Sequence, residues 1–183
     1  MKQLHKFIFI FLSIAALVGA RVAQAEPAEA TLDKDASAAL NALYERWPEA
    51  KALGEKAKGV LVFPNVDRVA VLVGLQSGNG AMFADGKVVD HYRIDGVSAG
   101  LEAGGQSYAY AMFFMSDKAL ESLHSAHGFD IGAGPNIVIL DAGLAKELTT
   151  TTARADVYGY VFNQKGLMGG VALQGLKITK VQG

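Results

Sequence analysis

The pentapeptide Gly96-Val97-Ser98-Ala99-Gly100 has the form glycine–x–serine–x–glycine. In one large hydrolase fold that pattern holds a nucleophilic serine on a sharp turn from strand to helix. Such a serine needs an acid and then a histidine further along, and Asp117 followed by His124 or His127 supplies that order. The surroundings fit poorly. Leu101 to Gln106 reads LEAGGQ, a weak helix start, because glycine carries the largest helix penalty after proline. A chain with 21 glycines also meets a glycine-spaced pattern by chance. Ser98 is therefore expected not to be a nucleophile, and the chain not to be an enzyme.

The remaining reactive groups are sparse. His124 and His127 stand three residues apart, a spacing that puts two imidazoles on one helix face, with Asp130 close behind. A metal ion would need a third ligand held in place, so the pair reads as the polar end of a short helix. His91 is alone in a strand-like run and is expected on a surface or across from a neighbouring strand. Gly74, Gly78 and Gly80 have the wrong spacing for a dinucleotide fingerprint, and no Gly-Lys-Ser/Thr follows. There is no cysteine, which removes thiol catalysis, thiolate metal sites, disulfides and a lipid-modified N-terminal cysteine. No cofactor and no metal are expected.

The elements around these residues begin with an export pattern. Lys2 and Lys6 precede the apolar run Phe7–Ala20, and Ala23-Gln24-Ala25 presents small residues at the two positions a signal peptidase reads. The run is short of the roughly 18 residues of a membrane span. Residues 1–25 are thus expected to be a secretory signal cleaved at about Ala25/Glu26, leaving a periplasmic or secreted protein. Loss of Lys2, Lys6 and Arg21 would leave 14 basic against 18 acidic residues, a net charge of −4. Nucleic-acid binding rests on phosphate neutralisation and is not expected.

After a linker at 26–30, Thr31 is the expected cap of a helix. Leu32, Ala36, Ala39, Leu40, Leu43 and Trp47 follow at steps of three and four, one apolar stripe. Pro48 opens a second short helix through Lys58, since proline suits a first helical turn. Beyond Gly59 the chain is strand-like. The runs are Val60–Phe63, Val69–Leu75, Ala81–Phe83, Val88–Ile94, Gln106–Met115, Ile137–Leu140, Val157–Phe162 and Gly170–Val181. Asp85-Gly86 is a hairpin signal. Asn163 to Gly166 reads as a turn between two strands, and Gly132 to Pro135 as another. Ser116-Asp117 starts an inserted helix, and Ile137–Leu140 reads as a central buried strand. The expected fold is α+β: N-terminal helices, then a mostly antiparallel, barrel-like sheet core with one inserted helix, forming a single domain over 31–183.

Five stretches in order resemble the SYLF domain, a lipid-binding family found in bacteria and in eukaryotic membrane-trafficking and actin-patch proteins. They are Ala57–Pro64 (AKGVLVFP), Gly100–Gln106 (GLEAGGQ), Phe114–Leu120 (FMSDKAL), Gly134–Asp141 (GPNIVILD) and Lys165–Ile178 (KGLMGGVALQGLKI). The resemblance runs from about Leu32 to Lys180. It implies a non-enzymatic module that binds phosphoinositides or another anionic phospholipid. Actin binding, known in some relatives, would be out of reach of an exported chain. The eukaryotic members use a basic amphipathic helix, whereas Thr31–Trp47 carries Asp33, Asp35 and Glu45 against Lys34 and Arg46.

Lipid binding asks for lysines beside apolar anchors. Candidates are Lys165, Lys177 and Lys180 with Leu167 and Met168 near the end, and Lys51 and Lys58 before the first strand. The expected partner is an anionic phospholipid surface of a bacterial cell envelope, with an envelope protein as a further partner. The alternative is a protein-interaction or structural role without lipid binding. A small membrane barrel fits less well, because Val60–Phe63 and Ile137–Leu140 do not alternate.

Overall fold

The computed structural model describes residues 29–124, 129–131, 137–140 and 155–181. The expected signal segment 1–25, His127, Asp141 and the Gly132–Pro135 turn lie outside them. Helix α1 spans Glu29–Arg46 and α2 spans Pro48–Gly54. The strands are β1 Gly59–Ala84, β2 Lys87–Phe114, β3 Phe129–Ile131, β4 Ile137–Leu140 and β5 Val157–Lys180, with helix α3 (Asp117–Leu123) between β2 and β3. The class is α+β, as expected.

The stripe Leu32, Ala36, Ala39, Leu40 and Leu43 is buried along α1. It packs on Val60, Val62, Ala81, Phe83, Ala111 and Phe113. The helix starts at Glu29, so residues 29 and 30 belong to it rather than to a linker, and Thr31 lies inside the first turn instead of capping it. A hydrogen bond between His91 Nε2 and Asp33 Oδ1 at 2.8 Å ties α1 to β2. Pro48 sits at the first turn of α2, as its fixed φ favours. In α3 the Ser116 hydroxyl accepts from Ala119 N at 3.2 Å, an N-cap. Ala119 and Leu123 are buried there against the opposite face of the sheet, beside Leu61, Met82, Tyr92, Met112 and Phe114.

Seven of the eight expected strand runs condense into three long strands, and the eighth, Ile137–Leu140, is β4. β1 and β2 pair antiparallel around Asp85-Gly86, whose φ values of 50° and 74° are those of a type I′ turn. Pro64-Asn65, read from sequence as a strand end, is a register shift within β1. A proline is tolerated there because the missing N–H falls at an irregularity of an outer strand. Asn163 to Gly166 is likewise no turn. β5 runs through it unbroken, with a register shift against Ser107–Ala109.

The order is β1-β2-β5-β3, with β4 also on β5. The barrel-like expectation is corrected: the path does not return to β1, and the sheet stays open. It is mixed, since β4 lies parallel to β5. Ile137–Leu140 is not central either. It pairs only with β5 among the described residues, and Ile139 is exposed. Its apolar run reflects packing of Ile137 and Val138 against the two cores rather than flanking strands.

Gly166 has φ of +90°, and a Cβ there would stand 2.3 Å from the Gly105 carbonyl oxygen. Gly166→Val should therefore cost at least 1–3 kcal/mol, the scale of a side chain forced into a region open mainly to glycine. Thermal unfolding of the variant checks this, and an unchanged midpoint would mean that β5 does not pass Gly105 so closely.

Candidate functional site

The three long strands leave the two cores and continue as a curled, three-stranded projection built from 69–76, 96–106 and 166–176. Alternation sorts its side chains. The even-numbered residues of β1 and β2 turn inward, where Ala70, Gln76, Ser98 and Glu102 are buried. The curl is tight: a Cβ on Gly74 would stand 2.3 Å from Ser98 Oγ and 3.0 Å from Ala70 Cβ, so only glycine fits. The odd-numbered residues turn outward and are apolar. Val69, Val71, Val73, Leu75, Val97 and Leu101 are all exposed, Val71 and Leu101 at 77%.

A register shift between Val71 and Val73 interrupts the alternation. Leu72 sits there with φ of +64°, a conformation a leucine rarely adopts. As a result Val71, Leu72 and Val73 are exposed in succession. Leu167 on β5 is the most exposed of these side chains at 87%. Across the three segments the one ionisable residue is Glu102, and it is buried.

Glu102 is held by Arg68, whose Nη2 donates to Glu102 Oε2. The Ser98 hydroxyl donates to Glu102 Oε1, and Arg68 Nη2 reaches Ser98 Oγ at 3.5 Å. Beside this cluster the Tyr108 hydroxyl donates to Gln76 Oε1 at 3.0 Å. The cluster ties β1 to β2 on the inner side of the curl. Ser98 lies mid-strand between antiparallel neighbours, so the strand–turn–helix that the glycine–x–serine–x–glycine pattern requires is not formed there. His124, at the end of α3, stacks on Tyr92 at 6.5 Å. No group of three metal-ligating side chains occurs among the described residues. The buried phenols are poor acid–base groups: burial pushes Tyr44 and Tyr160 up to about 12 and raises Tyr92 and Tyr110 as well.

The lysines singled out from sequence do not converge. Lys51 is exposed on α2. Lys58 Nζ lies 3.5 Å from Asp117, and Lys180 pairs with Asp90. Lys165 and Lys177 are exposed on β5, opposite Ser107 and Asp95 of β2 respectively. Met168 is half-buried. Of the earlier candidates only Leu167, flanked by Lys165, belongs to the apolar surface. Sequence reasoning missed the rest of that surface. The available signal was Val69–Leu75, apolar at both odd and even positions, which reads as a strand buried on both sides.

No helix among the described residues is long and apolar enough to cross a membrane. Residues 95–182 match the family model described as Ysc84, Las17-binding protein actin regulator. No curated protein matches the chain.

Proposed function

Residues 95–182 belong to the Ysc84 family, the SYLF domains, and on that premise we propose that this chain is a non-enzymatic phospholipid-binding module that rests on a membrane surface. One observation carries the reading: the uncharged outer face of the projection, with Val71, Leu72, Val73, Leu101 and Leu167 exposed together. Contiguous exposed apolar surface of this kind marks a membrane or protein contact. Each valine or leucine moved fully out of water contributes about 1.5–3 kcal/mol. A lysine near an anionic surface adds about 1 kcal/mol, so Lys165 and Lys177 act as helpers and the apolar side chains dominate. Depth is limited. An open sheet edge does not enter hydrocarbon, because its N–H and C=O groups would lose their partners. The outer face enters the interface and the inner face stays above it.

The basic-apolar-small pattern of residues 1–25 supports a cell-envelope location, periplasmic or secreted. The family description names Las17 binding and actin regulation; an exported chain would meet neither, and phospholipid binding rests on the surface chemistry of the projection. Co-sedimentation of residues 26–183 with mixed phosphatidylethanolamine–phosphatidylglycerol vesicles is the test. The protein is expected in the pellet, with raised salt releasing only part of it. Protein left in the supernatant at low salt with every vesicle composition would remove the lipid reading and favour an envelope protein as partner.

A further inference from the structure

A groove of about 710 Å³ opens on the projection where it leaves the cores. Val69 and Leu75 of β1, Val97 of β2 and Leu176 of β5 supply its apolar lining, and its charged side chains are Asp67, Asp95 and Lys177. Asp95 is engaged by Arg93, whose Nε lies 2.8 Å from Asp95 Oδ2. Among the described residues neither Asp67 nor Lys177 makes an ion pair or a side-chain hydrogen bond. The groove therefore offers a carboxylate and an ammonium that are unpaired among the described residues, and an apolar wall.

That combination selects an amphiphile whose head carries both charges. A phosphodiester matches Lys177, and a cationic group on the same head matches Asp67. A purely anionic head would satisfy Lys177 and leave a carboxylate facing its phosphate. A purely cationic amphiphile would do the reverse. The cation's chemistry also follows. Quaternary ammonium groups are recognised by aromatic faces, and no aromatic side chain lines the groove. A primary ammonium donates charge-assisted hydrogen bonds, which a carboxylate accepts. We infer that the groove binds the head of an ethanolamine phospholipid, with Lys177 on the phosphate, Asp67 on the ammonium and the upper acyl chain against Val69, Leu75 and Val97. The inference rests on the membrane reading and adds the lipid class to it.

Vesicles of phosphatidylcholine alone, compared with vesicles in which part is replaced by phosphatidylethanolamine, test it by co-sedimentation. The ethanolamine lipid is expected to raise affinity by at least about tenfold, the scale of one hydrogen bond to a charged group. The gain should vanish in Asp67→Asn and in Lys177→Gln and persist in Lys87→Gln, far along at the hairpin. Equal affinity for the two vesicle types, or a gain that survives Asp67→Asn, would overturn the inference while leaving membrane association intact. Failure to bind any vesicle would take both away.

Discussion

The double variant Val71→Asp/Leu101→Asp is expected to fold like the parent and to lose at least about 100-fold in vesicle affinity. Both side chains are exposed on the outer face of the projection, so neither change opens a cavity or buries a charge in the free protein. On the membrane each removes a contribution of about 1.5–3 kcal/mol and sets a carboxylate against the bilayer. The sum of the lost contacts alone, about 3–6 kcal/mol, corresponds to more than two orders of magnitude in affinity. Lys165→Gln/Lys177→Gln should cost less, about 30-fold, at about 1 kcal/mol per lysine. Quantitative vesicle titration of both pairs checks the ranking. A reversal, with the lysine pair costing more, would make the contact electrostatic.

Arg68→Met should destabilise the fold by about 3–5 kcal/mol. The Glu102 side chain is 3% exposed and its cation 18%, so removing Arg68 leaves a carboxylate in the interior with only the Ser98 hydroxyl to oppose its charge. Breaking such a pair from one side costs about that much, and a domain of this size would lose roughly 6–20 °C in melting temperature. Arg68→Met/Glu102→Met removes both charges and should recover most of the loss, because two apolar side chains of similar volume can replace a buried pair. Calorimetry of the two variants decides. If the single and double changes melt alike, the pair does not brace the curl. Vesicle binding should follow the same order, since the pair braces the curl that carries Val71, Leu72 and Val73.

Local chemistry was the part legible in the sequence. The stripe from Leu32 to Leu43 became the buried face of α1, Asp85-Gly86 made its hairpin, and Ser116 capped α3. These depend on neighbours within one or two turns. Strand length did not read out, because Pro64 and Gly80 look like punctuation, while the first falls at a register shift and the second at a close approach in a curled sheet. A Cβ on Gly80 would stand 2.6 Å from the Phe63 ring, a closeness that only the long-range path of β1 creates. The same holds for Ile137–Leu140, where an apolar run cannot say which side of β5 will receive it.

The site was legible only at Leu167. Lysine counting found charges scattered along β5, α2 and the strand ends, two of them already paired with Asp90 and Asp117. The outer face escaped because its residues spell buried strand. Nothing local in Val69–Leu75 marks one side as uncovered. That depends on α1 and α2 packing at the root of the sheet and stopping short of the projection, a tertiary fact.

The most direct measurement uses the absence of cysteine. Leu101→Cys and, separately, Asp85→Cys on residues 26–183 each give one labelling site for an environment-sensitive fluorophore. With phospholipid vesicles, the probe at position 101 is expected to shift to the blue and to be quenched by brominated acyl chains. The probe at position 85, on the exposed hairpin, should keep its aqueous spectrum. Vesicle-bound protein whose probe at 101 stays in water would contradict insertion of the outer face.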